Sequence, residues 1–201
     1  MAWRSVTGIV SGVVCSIGLL AATAMDATAQ GRQANYDYTV QGTDPVARFF
    51  GYSSSPIPRA LVTYPTRYKP GTVVINTPER RLYLVLGNGQ ALRYGIGVGR
   101  VGFTWNGVLH VSAKREWPDW TPPPQMIKRR PDLPRHMAGG PDNPLGARAL
   151  YLGSTLYRIH GSNEPETLGQ AVSSGCFRLT NADVIDLYPR VAVGATVIVQ
   201  Q

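Results

Sequence analysis

Short runs of β-branched, aliphatic and aromatic residues, broken by glycine, asparagine and proline, set the pattern of the chain from Thr72 onward. Val73-Val74-Ile75 is the first run. Leu82 to Leu86 and Ala91 to Ile96 flank Gly87-Asn88-Gly89-Gln90. Asn88-Gly89 between two such runs predicts a hairpin, because both residues accept the positive φ of a type I′ turn. Leu150-Tyr151-Leu152, Leu156 to His160 and Ala195 to Val199 read as further strands. The best helical spacing is in Thr180 to Tyr188: Thr180 or Asn181 caps it, Asp183 adds charge near its start, and Val184, Leu187 and Tyr188 share a face. Pro189 falls near its end, and a short helical turn is expected near Glu166 to Ala171. Many strands with one or two short helices predict a mainly β domain.

Two stretches do not fit the alternation. Trp117 to Leu145 contains Pro118, Pro122, Pro123, Pro124, Pro131, Pro134, Pro141 and Pro144. Proline fixes φ and removes a donor, so this segment is expected to be neither a regular helix nor a central strand. It reads as a long, stiffened excursion of the kind that forms lids or binding loops, with Trp117 and Trp120 packing it down or facing a ligand. Gly97-Val98-Gly99-Arg100-Val101-Gly102 satisfies the GxGxxG string. A dinucleotide fingerprint needs a helix immediately afterwards, and Phe103-Thr104-Trp105-Asn106-Gly107 does not start one. The glycines are read instead as bends at a strand end.

The N-terminus carries Arg4, then an apolar run of small residues from Val6 to Ala24, then Ala27-Thr28-Ala29. This is a signal-peptide pattern, with cleavage expected before Gln30; Ala22-Thr23-Ala24 is an alternative site, and an uncleaved membrane anchor the competing reading. The organisation read from sequence is a signal peptide over 1–29, a partly disordered lead-in over 30–68 that ends by packing on the domain, with Phe49 and Phe50 as anchors, and the main domain over 69–201. About 170 residues after cleavage suffice for one domain with a sizeable core. Lys and Arg number 20 against 12 Asp and Glu, a net charge of +8. A basic exported chain is drawn to anionic polymers of the wall or to lipid headgroups. The arginines are scattered rather than massed, so nucleic acid is not expected as a partner.

Export makes the cysteine count informative. Of the two cysteines, Cys15 lies in the apolar run, leaving Cys176 as the one mature thiol, with no internal disulfide partner. It sits in Ser173-Ser174-Gly175-Cys176-Phe177-Arg178. A thiol titrates near about 8.5 and needs a base or cation to become a nucleophile. His160, at the end of an apolar run and followed by Gly161, is the best-placed histidine for that role. Ser174-Gly175-Cys176 is a small-residue turn whose N–H groups suit an oxyanion, and Arg178 shares a face with Cys176 if the segment is extended. Spacing alone leaves an inert core cysteine as a near-equal alternative. His110 reads as a strand residue and His136 as loop surface. No metal-ligand spacing is present, and no metal or cofactor is expected.

Ile159-His160-Gly161, Ser173 to Arg178 and Asn181 together closely resemble the signature of the YkuD-like (ErfK-type) L,D-transpeptidases. The flanks Glu116 to Pro123, Gly139 to Gly146 and Tyr157 to Gly161 resemble an exported branch of that family, and the likeness runs from about Thr72 to Val199. It implies a β-sandwich or barrel of the L,D-transpeptidase catalytic-domain type with one or two short helices and a long Pro-rich loop. It also implies a cysteine acyltransferase of peptidoglycan. Cys176 would attack the carbonyl at the L-centre of the third stem residue, usually diaminopimelate, and release D-alanine; the thioester would pass to a stem amine, giving a 3→3 cross-link. His160 would be the general base and the Gly161 carbonyl would orient it. Arg178, Ser173, Ser174 and Gly175 would take the substrate and oxyanion positions. Many members carry histidine where Ser174 stands, so Ser174 must serve that position differently.

Three outcomes stay open at this stage. The acceptor is a stem amine; or it is water or a protein amine, as in an L,D-carboxypeptidase or in attachment of protein to peptidoglycan; or the chain is a non-catalytic wall-binding protein. The expectation is an exported monomer of the periplasm or cell wall, whose partners are peptidoglycan stem peptides, with membrane contact only through an uncleaved signal.

Overall fold

The computed structural model describes Met1 and residues 55–201. The rest of the expected signal segment, Cys15, Phe49, Phe50 and most of the lead-in lie outside the described residues. Eleven strands and two α-helices occur among the described residues. They are β1 (Ala60–Thr63), β2 (Val73–Asn76), β3 (Arg81–Gly87), β4 (Gln90–Gly95), β5 (Val98–Gly99), β6 (Gly107–Glu116), α1 (Pro124–Arg129), β7 (Arg148–Leu152), β8 (Arg158–His160), β9 (Ala171–Ser173), β10 (Phe177–Arg178), α2 (Asn181–Arg190) and β11 (Thr196–Gln200).

The β3–β4 hairpin turns on Asn88 and Gly89, whose φ values of 50° and 69° are the pair of left-handed residues that a type I′ turn requires. Alternation then sets the faces. Leu82 and Leu84 of β3 are buried, while Tyr83 points outward, stacks on Tyr64 and donates its hydroxyl to Glu79. β1, which falls in the sequence-read lead-in, pairs antiparallel with β4, so this part of the lead-in is sheet.

The strands order as β1-β4-β3-β2-β11-β6-β7-β8-β10. The ten residues of β6 join the two halves: Gly107 to His110 pair with β11, and Val111 to Glu116 pair with β7. The register shifts between Val111 and Ala113, where the strand changes partner; such a bulge bends and twists a strand. Curling brings the far edge back toward β4 and β5. Gly97 and Arg178 exchange both backbone hydrogen bonds at 2.9 Å, and β5 pairs in parallel with β9. One core fills the interior, with Val73, Leu84, Tyr94, Leu150, Ile159, Phe177 and Leu187 all buried.

α2 seals this core with Val184 and Leu187. Thr180 caps it, its Oγ1 accepting from Asp183 N at 3.0 Å. Tyr94 donates to Asp186 Oδ2 at 2.6 Å and ties the helix to β4. Pro189 lies inside its last turn, near the helix end as expected.

The Pro-rich excursion departs from expectation in one respect: it contains α1. Pro124 occupies the first turn, where the missing N–H has no intrahelical acceptor to lose, so proline starts this short helix instead of preventing it. The segment is also internally braced. Asn143, fully buried, donates to the carbonyls of Pro118 at 3.0 Å and Ala138 at 2.9 Å, and Trp120 and Met137 exchange backbone bonds at 2.8 Å. The turn expected near Glu166 to Ala171 is a 3₁₀ turn at Pro165–Thr167, and β9 starts at Ala171.

Candidate active site

β8 and β10 run parallel, with Ile159 opposite Phe177 and His160 opposite Arg178. Strand alternation sends Ile159 and Phe177 into the core. His160 and Arg178 therefore share the other face, together with Arg158 and Cys176 one step before the paired residues. All four line one cavity of about 900 Å³, whose opposite wall is the Pro-rich segment, including Trp120, Met126, Arg129 and Leu145.

Cys176 is held at the end of a tight turn. Ser173 Oγ donates to the Cys176 carbonyl at 2.6 Å and accepts from Gly175 N at 3.2 Å. Gly175 has a φ of 105°, and a Cβ there would stand 2.6 Å from the Tyr157 ring, so only glycine fits. Trp105 clamps the turn from outside: its indole N–H donates to Gly175 O at 3.1 Å while its ring stacks on Tyr157 at 4.5 Å. The Gly175 N–H is thus committed to Ser173.

His160 is buried, and its Nδ1 donates to the Gly161 carbonyl at 2.6 Å, leaving Nε2 as the unprotonated nitrogen. The neighbouring turn is fixed by Asn181, whose Oδ1 accepts from Ala147 N at 2.8 Å. A Cβ on Gly161 would come within 2.3 Å of that oxygen, so glycine is needed for Asn181 to close in behind the histidine.

The charges around the pair act in opposite directions. Burial pushes the Cys176 thiol above its ordinary value, while backbone and side-chain hydrogen bonds from Arg158 and the charges of Arg158 and Arg178 pull it down. Burial, then Arg178, lowers the imidazole to about 3, against the opposing pull of its bonds with the Gly161 and Leu145 backbone. At neutral pH the ring is therefore uncharged. The thiol donates to Leu156 O at 3.6 Å rather than to the imidazole. Arg178 is itself held by Glu164 at 3.1 Å.

Each residue singled out in the sequence motif falls at this site. His160, Ser173, Ser174, Cys176 and Arg178 line the cavity, Gly161 and Gly175 hydrogen-bond to His160 and Ser173, and Ser174 accepts from Arg129 at 3.4 Å. His110 is exposed on β6, and His136 is exposed on the excursion 3.7 Å from Asp119; neither lines the cavity. Trp120 does, but Trp117 does not. Arg158, Trp105 and Tyr157 went unread as site residues. Arg158 was legible, since period-two alternation back from His160 places it on the same face; the Trp105 contact is long-range and leaves no local signal.

A cysteine, a neutral histidine and two arginines thus line one cavity on a curled sheet edged by a proline-rich wall. Residues 70–199 match the model of the YkuD L,D-transpeptidase catalytic domain, and the chain belongs to that family. It is 39% identical over 148 residues to the probable L,D-transpeptidase ErfK/SrfK of Escherichia coli K12, covering 70% of this chain and 47% of the relative. It is 38% identical over 148 residues to the probable L,D-transpeptidase YbiS of the same strain, with the same coverage. The chain thus spans about half the length of these curated relatives. In fold it resembles an L,D-transpeptidase from Mycobacterium smegmatis, at 19% identity and a TM-score of 0.53, over 65% of this chain and 58% of that one. It also resembles the catalytic domain of the Enterococcus faecium enzyme, at 19% identity and a TM-score of 0.51, over 67% of this chain and all of that one.

Proposed function

We propose that the protein is an exported L,D-transpeptidase acting on peptidoglycan stem peptides, with Cys176 as nucleophile and His160 as base. The observation that carries this reading is the parallel β8–β10 pair, which sets Cys176, His160, Arg158 and Arg178 on one face of one cavity. Cys176 Sγ attacks the carbonyl at the L-centre of the third stem residue, and its proton passes to His160 Nε2. The C–N bond to D-alanine breaks, the imidazolium returns the proton to the leaving amine, and a thioester remains. An acceptor amine then attacks the thioester, giving up its proton through the same imidazole and restoring the thiol.

The electrostatics suit this sequence. A neutral imidazole is a proton acceptor, and its low pKa reflects a buried, cationic resting environment. As negative charge develops on the sulfur and the substrate oxygen, that environment becomes balanced and the ring gains basicity as the proton moves. Arg158 and Arg178 favour the same developing charge. The Gly161 carbonyl keeps the ring in the productive tautomer, and Ser173 shapes the turn.

The signal over 1–29, the lead-in, and a monomer at the wall or in the periplasm belong to the same proposal. To test it, cell walls are digested after incubation with the enzyme. Appearance of 3→3 dimers supports transfer to a stem amine. Loss of tetrapeptide without dimers assigns water as acceptor, and no change in either, matching Cys176→Ala, refutes the reading.

A further inference from the structure

The cavity is lined by five arginines and one glutamate. Two of the arginines already hold carboxylates: Arg178 pairs with Glu164 at 3.1 Å, and Arg130 with Asp132 at 2.6 Å. Arg158 serves the thiol and lies over the Tyr151 ring. Arg100 and Arg129 differ from these. Their guanidinium carbons lie 4.3 Å and 5.2 Å from the centroid of one ring, Phe103. Among the described residues neither meets a carboxylate within ion-pair distance.

This pair is held in place from three directions. Arg100 belongs to the turn after β5, and its backbone N–H donates to Ser173 O at 3.0 Å. Arg129 ends α1 on the opposite wall and reaches Ser174 Oγ at 3.4 Å. Phe103 is pressed against the nucleophile turn, since a Cβ on Gly99 would meet its carbonyl at 2.6 Å and one on Gly175 would meet it at 3.2 Å. Stacking on an aromatic ring engages the face of a guanidinium and leaves its in-plane N–H fork available. Two like charges gathered on one ring, beside two further arginines, repel unless an anion joins them. Such forks match a planar carboxylate better than a compact ammonium would.

We propose that Arg100 and Arg129, braced on Phe103, form a subsite that binds a free carboxylate of the acyl-donor stem peptide and discriminates against its amide. The proposal rests on the transpeptidase reading above. It also gives Ser174 a role: the serine brings no charge of its own to the rim and instead helps hold the charge of Arg129. The stem carboxylate comes from the side chain of the third residue or from the free carboxyl of the second; the chemistry recognised is the same.

Three donor tetrapeptides distinguish the sources: one with both carboxylates free, one amidated on the third-residue side chain, and one amidated at the second residue. D-alanine release gives kcat/KM for each. In the parent enzyme, amidating one of these groups is expected to lower kcat/KM by about 10- to 100-fold, the range for losing a charge-assisted hydrogen bond. Arg129→Gln and Arg100→Gln are expected to bring the free-to-amidated ratio to within about threefold of unity, and Arg129→Lys to restore part of it. A merely structural role would lower all three rates together and leave the ratio intact. Equal rates for all three peptides in the parent, or a ratio unchanged in both glutamine variants, overturns the subsite while the transpeptidase reading stands. Failure of every peptide to release D-alanine overturns that reading and the subsite with it.

Discussion

Replacing Asp183 with asparagine isolates a buried carboxylate whose pH dependence masks that of His160. Asp183 lies buried in the first turn of α2, with Arg59 3.6 Å from Oδ1. Burial raises its carboxyl to about 6, against the pull of Arg59. His160 is shifted the other way, to about 3. Between about pH 3 and 6.5 the unfolded chain binds the histidine proton that the folded protein refuses. That contribution to stability is complete above 6.5 and is lost as pH falls toward 3. Between about 3.8 and 6 the folded protein binds the Asp183 proton that the unfolded chain releases, so that contribution is complete below 3.8 and is lost as pH rises through 6. Each slope is about 1.4 kcal/mol per pH unit, and across pH 4 to 6 they oppose each other and nearly cancel. Asp183→Asn removes one of them. The variant is expected to gain stability relative to the parent on going from pH 4 to pH 7, by about 3 kcal/mol over the window. Urea unfolding of both proteins at half-unit pH steps measures this difference and leaves charges unscreened. A variant-minus-parent difference that stays flat, or that falls with rising pH, refutes the argument.

Gly161→Ala drives a methyl into Asn181 Oδ1; we expect a loss of about 1–3 kcal/mol in urea unfolding and a 10- to 100-fold drop in acylation rate as the ring loses its place. Trp105→Phe keeps the stack on Tyr157 but leaves Gly175 O without its donor, which should cost about 1 kcal/mol and slow acylation more than it destabilises the fold. Arg178→Gln removes a cation that favours the thiolate, so the pH midpoint for alkylation of Cys176 by iodoacetamide should move upward; a midpoint that stays or moves down counts against the assignment.

How much of this was legible depends on the range of the interaction. The β3–β4 hairpin needed only Asn88-Gly89 and alternating side chains, and the cap at Thr180 needed only its neighbours. β5, β9 and β10 have two or three residues each, too short for a period, and they form because the curled sheet brings Gly97 beside Arg178. The parallel pairing of β8 with β10 is likewise a product of topology, although it is what unites the histidine and the cysteine. Reading proline as a breaker concealed α1, since the same residue that disrupts a helix interior is accommodated at its first turn. The motif residues were found by their likeness to a family. The supports behind them were not: Trp105 over Gly175 and Arg129 across the cavity act over distances the local pattern does not encode.

The account stands on Cys176 as an acyl-accepting nucleophile. Intact-mass spectrometry of the purified protein, taken shortly after mixing with a stem tetrapeptide ending in D-alanine, tests this most directly. The predicted result is a mass increase equal to the tetrapeptide less D-alanine, located by peptide mapping on Cys176, sensitive to hydroxylamine and absent from Cys176→Ala. An unmodified protein together with undiminished tetrapeptide, or an adduct that persists in Cys176→Ala, would contradict it.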